Sequence, residues 1–347
     1  MKKYYIEKAD LLRDVDDILL ILNNNFNSEV LREKFEWKYK KCPFGEAAAW
    51  IAKEINTNRV SGVGALFKRE FEVSGKIFTF GVAGDFGVNK EDRVFGPALK
   101  LQKTIITNSA KEGMNFLYGI PNKSSKKLLE KAGYQNIGNF CRFVKILKTE
   151  HKLREKIKGD LLPKALAKFL DVFLCLCFRE SFAKNFLGYS MKFHESFDNK
   201  FDSFFEKTKH QFKIMGVRGT AYLNWRYFSY QANEYKIFSI EKNNEIQGYL
   251  VYYLENGTMH IVDVLALNEK TWEALMWKFV IYARGVNAKA VAIRFMGTNK
   301  IVKQLKRIGY WLREADDPFL VFAHEGLVKK EIFDCENWYF FEGDNDV

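Results

Sequence analysis

Residues 78–111 read FTFGVAGDFGVNKEDRVFGPALKLQKTIITNSAK, and this stretch decides the fold. Its first part, residues 78–88, is an apolar run rich in residues that favour β-strands. A short polar loop follows, and from Pro97 onward apolar residues recur with the spacing of a helix. The pattern predicts a strand that leads through a tight turn into a helix.

The start of this helix is a suitable place for a phosphate group. Backbone N–H groups in a first helical turn lack partners and carry a partial positive charge, which favours anions. Gly96 has no side chain to keep an anion away, and Pro97 suits the first helical position because its missing N–H is not needed there. Arg93 and Lys100 add positive charge beside this end. These residues predict a phosphate or pyrophosphate site.

Arg93, Gly96 and Ala98 form the pattern Arg-x-x-Gly-x-Ala after a strand. The pattern resembles the acyl-CoA pyrophosphate loop of the GNAT superfamily of N-acyltransferases, although an ordinary strand-to-helix turn gives the same residues. The order of elements supports the resemblance. Residues 1–148 predict a strand, two helices, three strands, a helix, a strand, a helix and a strand, which is the GNAT order. Residues 121–134, from Pro-Asn to Gly-Tyr, resemble the last helix of that family.

The second half of the chain repeats the first. Residues 225–227 (Trp-Arg-Tyr) echo residues 37–39 (Trp-Lys-Tyr), and residues 298–310 echo residues 121–134. The second copy lacks the phosphate loop, because residues 266–271 have no glycine there and add a carboxylate. We therefore expect an α/β (α+β) tandem GNAT fold of two mixed sheets flanked by helices, with a single acyl-CoA site in the leading copy.

Three segments follow from this repeat. Residues 1–148 are predicted to be the acyl-CoA-binding GNAT domain, and residues 149–212 a helical, basic linker. Residues 213–347 are predicted to be a GNAT-like domain that binds the acceptor, with a purely stabilising or dimerising role left open. Within the linker, residues 161–178 predict a helix, for which a position between the domains is favoured over a membrane-surface or partner-binding one.

Composition and charge limit the class of protein. The chain has 347 residues and a formal net charge of +12, which favours anionic partners but also serves solubility. Its five cysteines are scattered, which predicts a reducing compartment without disulfides or a zinc site. No export signal or membrane-spanning run is apparent. We expect a cytoplasmic protein that is not transmembrane.

The resemblance implies which residues hold the donor. Backbone N–H groups on the strand at residues 86–88 are expected near the thioester, where they stabilise the developing oxyanion. The loop is expected to hold the pyrophosphate, and the start of the last helix to contact pantetheine and phosphates, with a plain helix cap as the alternative for Asn122. The implied cofactor-binding residues are Phe86, Gly87, Val88, Arg93, Phe95, Gly96, Pro97, Ala98, Asn122 and Lys126.

Asp85 and His260 are the candidate catalytic residues. Asp85 lies beside the proposed thioester in an apolar run, where it would act as a base for the amine, or else form a structural salt bridge. His260 lies on an apolar strand of the second copy and is either catalytic or a core histidine. GNAT enzymes often carry a tyrosine acid on the last helix, and here that position is Leu129, which puts the usual acid in doubt.

The tandem arrangement is similar to nucleotide-linked amino-sugar N-acyltransferases of bacterial surface-polysaccharide biosynthesis. That resemblance implies transfer from acetyl-CoA, or a longer or hydroxylated acyl-CoA, to a nucleotide sugar such as a dTDP-3-amino-3,6-dideoxyhexose, without a metal. The acceptor-binding candidates are Arg218, Trp225, Arg226 and Tyr227, for which a structural role is equally open.

Two other functions stay open. A relative of the peptidoglycan aminoacyltransferases would use aminoacyl-tRNA, although the intact phosphate loop favours CoA. A non-catalytic binder of nucleic acid or membrane surfaces would show salt-sensitive binding and no affinity for CoA. The favoured enzyme needs no nucleic-acid partner, and the sequence leaves homodimerisation open.

Overall fold

The computed structural model describes residues 3–27, 29–150, 166, 169–172, 188–230, 233–324 and 330–345. The helix predicted over residues 161–178 lies almost wholly outside the described residues. Within them, no helix combines the length and the apolarity that crossing a lipid bilayer requires.

The leading half contains six strands and four α-helices among the described residues, in the predicted order. They are β1 Tyr4–Lys8, α1 Val15–Asn25, α2 Arg32–Phe35 with a π-helical continuation Glu36–Lys40, β2 Ala48–Glu54, β3 Val60–Val73, β4 Lys76–Val88, a 3-10 turn Lys90–Phe95, α3 Pro97–Ser109, β5 Phe116–Gly119, α4 Lys123–Ala132 and β6 Gln135–Ile146.

The trailing half repeats this order and adds two short strands, one between its first two helices and one at its end. Its elements are β7 Ser190–His194, α5 Asn199–Thr208, β8 Ile214–Gly216, α6 Thr220–Phe228, β9 Lys236–Lys242, β10 Glu245–Glu255, β11 Thr258–Ala266, α7 Glu269–Gly285, β12 Ala290–Gly297, α8 Asn299–Ile308, β13 Trp311–Ala323 and β14 Trp338–Phe341.

Local sequence explains several element ends. Asn243 and Asn244 both have positive φ, which the tight hairpin between β9 and β10 requires and which asparagine tolerates. Gly133 and Gly309 end α4 and α8 in the left-handed conformation, with φ of 116° and 94°. A glycine at this position lets a helix end without a side-chain clash. The same cap therefore closes the last helix of both copies.

The two halves exchange their last strands. The sheet runs β1-β2-β3-β4-β5-β13-β6-β12-β11-β10-β9-β7, so β13 of the trailing half pairs with β5, and β6 of the leading half pairs with β12. The predicted tandem fold is confirmed, and the two predicted sheets are joined into one. Because each half borrows a strand, the core of one half is completed by the chain of the other.

A reciprocal contact joins the equivalent tryptophans of the two copies. The rings of Trp37 and Trp225 stack with centroids 4.8 Å apart. The indole Nε1 of Trp37 donates to the carbonyl oxygen of Trp225 at 3.0 Å, and the Nε1 of Trp225 donates to the carbonyl oxygen of Trp37 at 3.2 Å. Each tryptophan thus makes the same hydrogen bond to the other, as expected when the two copies are related by an approximate two-fold axis.

A buried network of charges lies between the halves. The guanidinium of Arg218 donates to Asp263 at 3.0 Å and to Asp344 at 2.7 Å, and Arg69 donates to the other oxygen of Asp344 at 2.8 Å. Burial raises the pKa of the Asp263 carboxyl, while the neighbouring Arg218 guanidinium acts to lower it. Removing one member would leave an uncompensated buried charge, so the network holds the C-terminal segment against both halves.

The tryptophan contact gives a stability prediction. Trp37→Ala removes a buried ring, its stacking on Trp225 and the hydrogen bonds that its Nε1 donates to the Trp225 carbonyl oxygen and the Ser229 hydroxyl, so we expect a loss of about 3–5 kcal/mol in unfolding free energy. Trp311 is 57% exposed, and Trp311→Ala should change stability by no more than about 0.5 kcal/mol. Urea denaturation followed by circular dichroism measures both. Equal, small losses would show that the contact is not important for stability.

Candidate active site

A cleft opens where β4 and β5 separate. The two parallel strands pair only from Phe80 and Phe116 to Val82 and Tyr118. Beyond that point β4 continues to Val88 without a β5 partner, so N–H and C=O groups on this edge of β4 face the gap. The resulting cavity measures about 260 Å³. Its lining comprises Phe26, Ala83, Gly84, Asp85, Phe86, Gln102, Ile120, Pro121, Asn122, Ser125, Leu128, Leu129 and Asn345.

A β-bulge turns two residues of β4 toward this cleft. Val63 pairs with Gly87 and Ala65 pairs with Gly84, so Asp85 and Phe86 together oppose the single residue Gly64. A Cβ on Gly64 would come within 2.7 Å of Ile105 and 3.0 Å of the Phe86 ring. A glycine is therefore needed here for the Phe86 ring to pack between β3 and α3.

Asp85 is held firmly in place. Its Oδ1 accepts from Lys38 Nζ and its Oδ2 accepts from the Tyr39 hydroxyl, both at 2.8 Å. The Lys38 side chain is only 4% exposed. Asp85 also has φ of +46°, a left-handed conformation that is uncommon for residues other than glycine and is frequent at functional sites. The predicted catalytic candidate thus lines the cleft, and its partners come from the motif at residues 37–39.

The predicted phosphate loop leads into α3. Gly96 precedes the helix with φ of +83°, and a Cβ at this position would meet no atom of the described residues within 4 Å. Pro97 occupies the first turn, which contains no acidic residue. The N–H groups at Gly96 and Ala98 are at the positive end of α3, and Phe95 closes the 3-10 turn before it. This end of the helix is open to an anion.

Arg93 has a structural contact in addition to its predicted role. Its Nε donates to the carbonyl oxygen of Val88 at 3.1 Å, and its Nη2 donates to the Asn25 side chain at 2.7 Å. These bonds fasten the loop to the end of β4. Lys100 Nζ donates to the Tyr4 carbonyl oxygen at 2.7 Å, so it is also engaged by the protein.

Asn122 caps α4. Its Oδ1 accepts hydrogen bonds from the backbone N–H groups of Ser124 and Ser125. This oxygen is therefore a helix cap, which is the alternative role that the sequence left open for Asn122. Asn122 also lines the cleft. Lys126 forms a 3.9 Å ion pair with Glu130, both about 38% exposed. Asp85, Phe86 and Asn122 are therefore brought together in one cleft.

The trailing copy has the same strand separation, but its gap is filled. β11 pairs with β12 only as far as Ile261 and Ile293. Beyond that point β14 lies beside β12, and the Tyr339 hydroxyl donates to the Val264 carbonyl oxygen at 2.9 Å. A Cβ on Gly297 would come within 1.8 Å of the Trp338 oxygen, so glycine permits this close approach. The chain itself occupies the position of the leading cleft.

His260 lies elsewhere than predicted. It stacks on Tyr253 with ring centroids 4.8 Å apart, in a cavity also lined by Arg142 and Arg294. Among the residues that the structure describes, that cavity and the β4 cleft have no lining residue in common. Burial lowers the pKa of His260, and the positive charge of Arg142 lowers it further. The structure places His260 in a different cavity from Asp85, so the geometry of the β4 cleft gives no support to the catalytic role predicted for His260.

The predicted acceptor-binding residues are buried in the core. Trp225 stacks on Trp37, and Arg218 is 1% exposed in the charge network between the halves. Arg226 donates to the carbonyl oxygens at residues 342 and 343, and Tyr227 is 1% exposed. These side chains support the interface between the copies and cannot contact an acceptor without rearrangement. The motif that repeats at residues 37–39 and 225–227 therefore contributes to packing between the copies.

Sequence reasoning missed four residues of the cleft region. Lys38 entered the sequence analysis only through the repeated Trp-Lys/Arg-Tyr motif, which does not by itself indicate the ion pair with Asp85. Gln102, Phe26 and Asn345 line the cleft from three different elements. Their convergence depends on tertiary structure, and no local signal could have found them.

No protein-family model and no curated protein sequence matches this chain. Solved structures do match. A GCN5-related N-acetyltransferase from Anabaena variabilis superposes with a TM-score of 0.65 over 92% of this chain and 72% of its own, at 14% identity. A second, from Kribbella flavida, gives 0.60 over 93% and 71%, also at 14% identity.

Saccharomyces cerevisiae N-myristoyltransferase, solved with bound myristoyl-CoA, gives a TM-score of 0.57 over 92% of this chain and 82% of its own, at 11% identity. The chain has the fold of the GNAT N-acyltransferases. At these identities the likeness concerns the fold, and it extends over both copies because each match covers more than nine-tenths of the chain.

The ion pair below the cleft gives a second prediction. Asp85→Asn should leave the buried Lys38 ammonium without its carboxylate, and Lys38→Met should leave Asp85 without its ammonium, each at a cost of about 3–5 kcal/mol. The double variant should lose less than the sum, with a coupling of about 1–3 kcal/mol. Urea denaturation of the four proteins measures this cycle.

The exposed pair Lys207–Glu245, at 3.2 Å, is the matched control. Its coupling should be below about 1 kcal/mol, because water screens both charges. A Lys38–Asp85 coupling no larger than that of the control would contradict the assignment of a buried, interacting pair.

Proposed function

We propose that this protein is an acyl-CoA-dependent N-acyltransferase whose donor binds in the β4 cleft. The observation that carries the proposal is the open cleft between β4 and β5 beside the anion-accepting start of α3. The equivalent gap of the trailing copy is filled by β14, so we place a single donor site in the leading copy.

The donor would run from α3 into the cleft. Its pyrophosphate would bind the backbone N–H groups of Gly96 and Ala98, at the end of the helix that favours negative charge. Pro97, which lies between them, has no N–H group to donate. Its pantetheine arm would then follow the unpaired edge of β4 as an additional strand-like partner. That path would bring the thioester to the bulge, where those N–H groups of the stretch from Phe86 to Val88 that face the cleft would stabilise the developing oxyanion.

The transfer itself is an acyl substitution at the thioester carbonyl. The acceptor's amine nitrogen attacks the carbonyl carbon, the C–N bond forms, the C–S bond breaks, and CoA leaves as a thiolate. The amine loses one proton, which passes to Asp85 or solvent, and the thiolate takes one from water. With Leu129 at the position of the usual acid, the low basicity of a thiolate allows it to leave without direct help.

Asp85 is the residue that we place next to the acceptor amine. An ionised carboxylate has about four acceptor positions, and the bonds from Lys38 and Tyr39 occupy two of them. The remaining positions can accept an N–H of the amine and orient its lone pair. Because the bulge and the ion pair fix the carboxylate, the amine would be held in one geometry relative to the thioester.

For the acceptor, we propose a nucleotide-linked amino sugar, such as a dTDP-3-amino-3,6-dideoxyhexose of surface-polysaccharide biosynthesis. The support is the resemblance of the tandem arrangement to enzymes of that class, together with a net charge of +12 that suits a diphosphate. The recognition does not use Arg218, Trp225, Arg226 or Tyr227, which are buried.

The donor site is tested by Gly96→Glu. A carboxylate at the start of α3 repels a pyrophosphate, so we expect CoA to bind at least about 30-fold more weakly in isothermal titration calorimetry. Gly113 is a matched control at the end of the 3-10 turn Ala110–Glu112 that follows α3, with φ of +80° and no described atom within 4 Å of a built Cβ. Gly113→Glu should carry the same backbone strain and bind CoA like the unmodified protein. Equal affinities of all three proteins would contradict the site.

The acceptor class is tested by thermal shift in the presence of CoA. A dTDP-amino sugar should raise the unfolding temperature further, because a ligand that binds only the folded state stabilises it. The same sugar without its amine is the control for binding by the nucleotide alone. Stabilisation by aminoacyl-tRNA, and none by nucleotide sugars, would instead support a peptidoglycan-type aminoacyltransferase.

A further inference from the structure

Gln102 presents an unsatisfied polar atom to the cleft. It lies on the second turn of α3, is 4% exposed and lines the cleft together with Ala83 and Gly84 of β4. Its side-chain oxygen Oε1 is buried and accepts no hydrogen bond from the described residues. This oxygen therefore has no hydrogen-bond partner within the described part of the protein.

Such an oxygen is unfavourable in an empty site. Burial removes the water that would hydrogen-bond to the amide, and nothing replaces it, so the folded protein loses free energy at this atom. Most buried side-chain oxygens in proteins have a partner. An unsatisfied one that lines a cavity is explained when a ligand supplies the missing N–H or O–H.

The surroundings make Gln102 distinct within the cleft. The helical wall beside it carries the apolar side chains Leu128 and Leu129. The other two groups with hydrogen-bonding oxygens that we have described, Asp85 and Asn122, already accept bonds from protein donors. Gln102 Oε1 is thus an acceptor without a partner among the described residues, in a cleft with both polar and apolar lining, and a hydrogen bond from a ligand would satisfy it.

We propose that Gln102 accepts a hydrogen bond from the acyl thioester donor and so fixes the position of that donor along the cleft. This inference rests on the proposed function. The ligand chemistry is an N–H or O–H group on the donor, and it has two sources: an amide of the pantetheine arm, which every acyl-CoA carries, or a hydroxyl on the acyl chain, which only hydroxylated donors carry.

Gln102→Met tests the proposal, because methionine resembles glutamine in length and lacks the amide. The matched control is Gln304→Met on α8, since Gln304 is 6% exposed, has an unpartnered Oε1 and does not line the cleft. Calorimetric titrations with CoA, butyryl-CoA and 3-hydroxybutyryl-CoA give the affinities of the unmodified protein and both variants. Thermal unfolding without ligand shows whether either glutamine stabilises the fold.

We expect Gln102→Met to unfold at the same temperature as the unmodified protein or higher, and to bind the donor about 5- to 10-fold more weakly. Equal weakening for all three ligands assigns the bond to the pantetheine arm, and weakening for 3-hydroxybutyryl-CoA alone assigns it to the acyl hydroxyl. Gln304→Met should leave every affinity unchanged.

Two results overturn the proposal in distinguishable ways. If the unmodified protein binds these ligands and Gln102→Met binds all three equally well, the glutamine makes no bond to the donor while the proposed function stands. If the unmodified protein binds none of them, the proposed function fails and this inference fails with it. A lower unfolding temperature for ligand-free Gln102→Met, with unchanged affinities, would assign the glutamine a structural role.

Discussion

The separation of β4 from β5 beyond Val82 and Tyr118 is the constraint on which the rest of the structure depends. Parallel strands that stop pairing leave backbone groups exposed, and such groups must find other partners. Such a separation occurs in both copies, and the exposed backbone groups are accommodated differently in each. In the trailing copy the chain supplies β14, whereas in the leading copy the cleft remains open and is walled by α3 and α4.

This asymmetry arises from a symmetric frame. Trp37 and Trp225 make the same contacts in opposite directions. The strands β4 and β11 also carry an aspartate at equivalent positions. Asp85 lies three residues before Val88, which pairs with Gly62, and Asp263 lies three residues before Ala266, which pairs with Gly248. The two carboxylates lie in different environments. Asp263 is sealed in a charge network with Arg218, while Asp85 is bonded to Lys38 but still lines the cleft.

The C-terminal segment links these two outcomes. β14 closes the trailing gap, Asp344 is bonded by Arg69 and Arg218, and Asn345 lines the leading cleft. The Tyr118 hydroxyl, at the point where β4 and β5 part, donates to the carbonyl oxygen of Asp344. The charges at Arg69 and Arg218 therefore act as anchors that bring the end of the described chain from one copy to the other.

The sequence was sufficient for the features that depend on local chemistry. The Gly96-Pro97 helix start, the asparagine hairpin at Asn243 and the order of elements follow from turn, cap and periodicity rules. The strand exchange could not be predicted, because β6 and β13 have the same alternation whichever copy they join. Burial decides between the two roles left open for Arg218 and Arg226 in favour of the structural one. Arg226 lies between two aromatic residues, and this pattern is the same whether the arginine binds a ligand or another part of the protein.

The central claim is that the doubled scaffold retains a single donor cleft, in the leading copy. The most direct measurement is the stoichiometry of CoA binding by native mass spectrometry, combined with hydrogen exchange to locate the protected segment. The account predicts one CoA per chain, with slower exchange at residues 83–98 and no change at residues 262–271. Two CoA molecules per chain, or protection confined to residues 262–271, would contradict it.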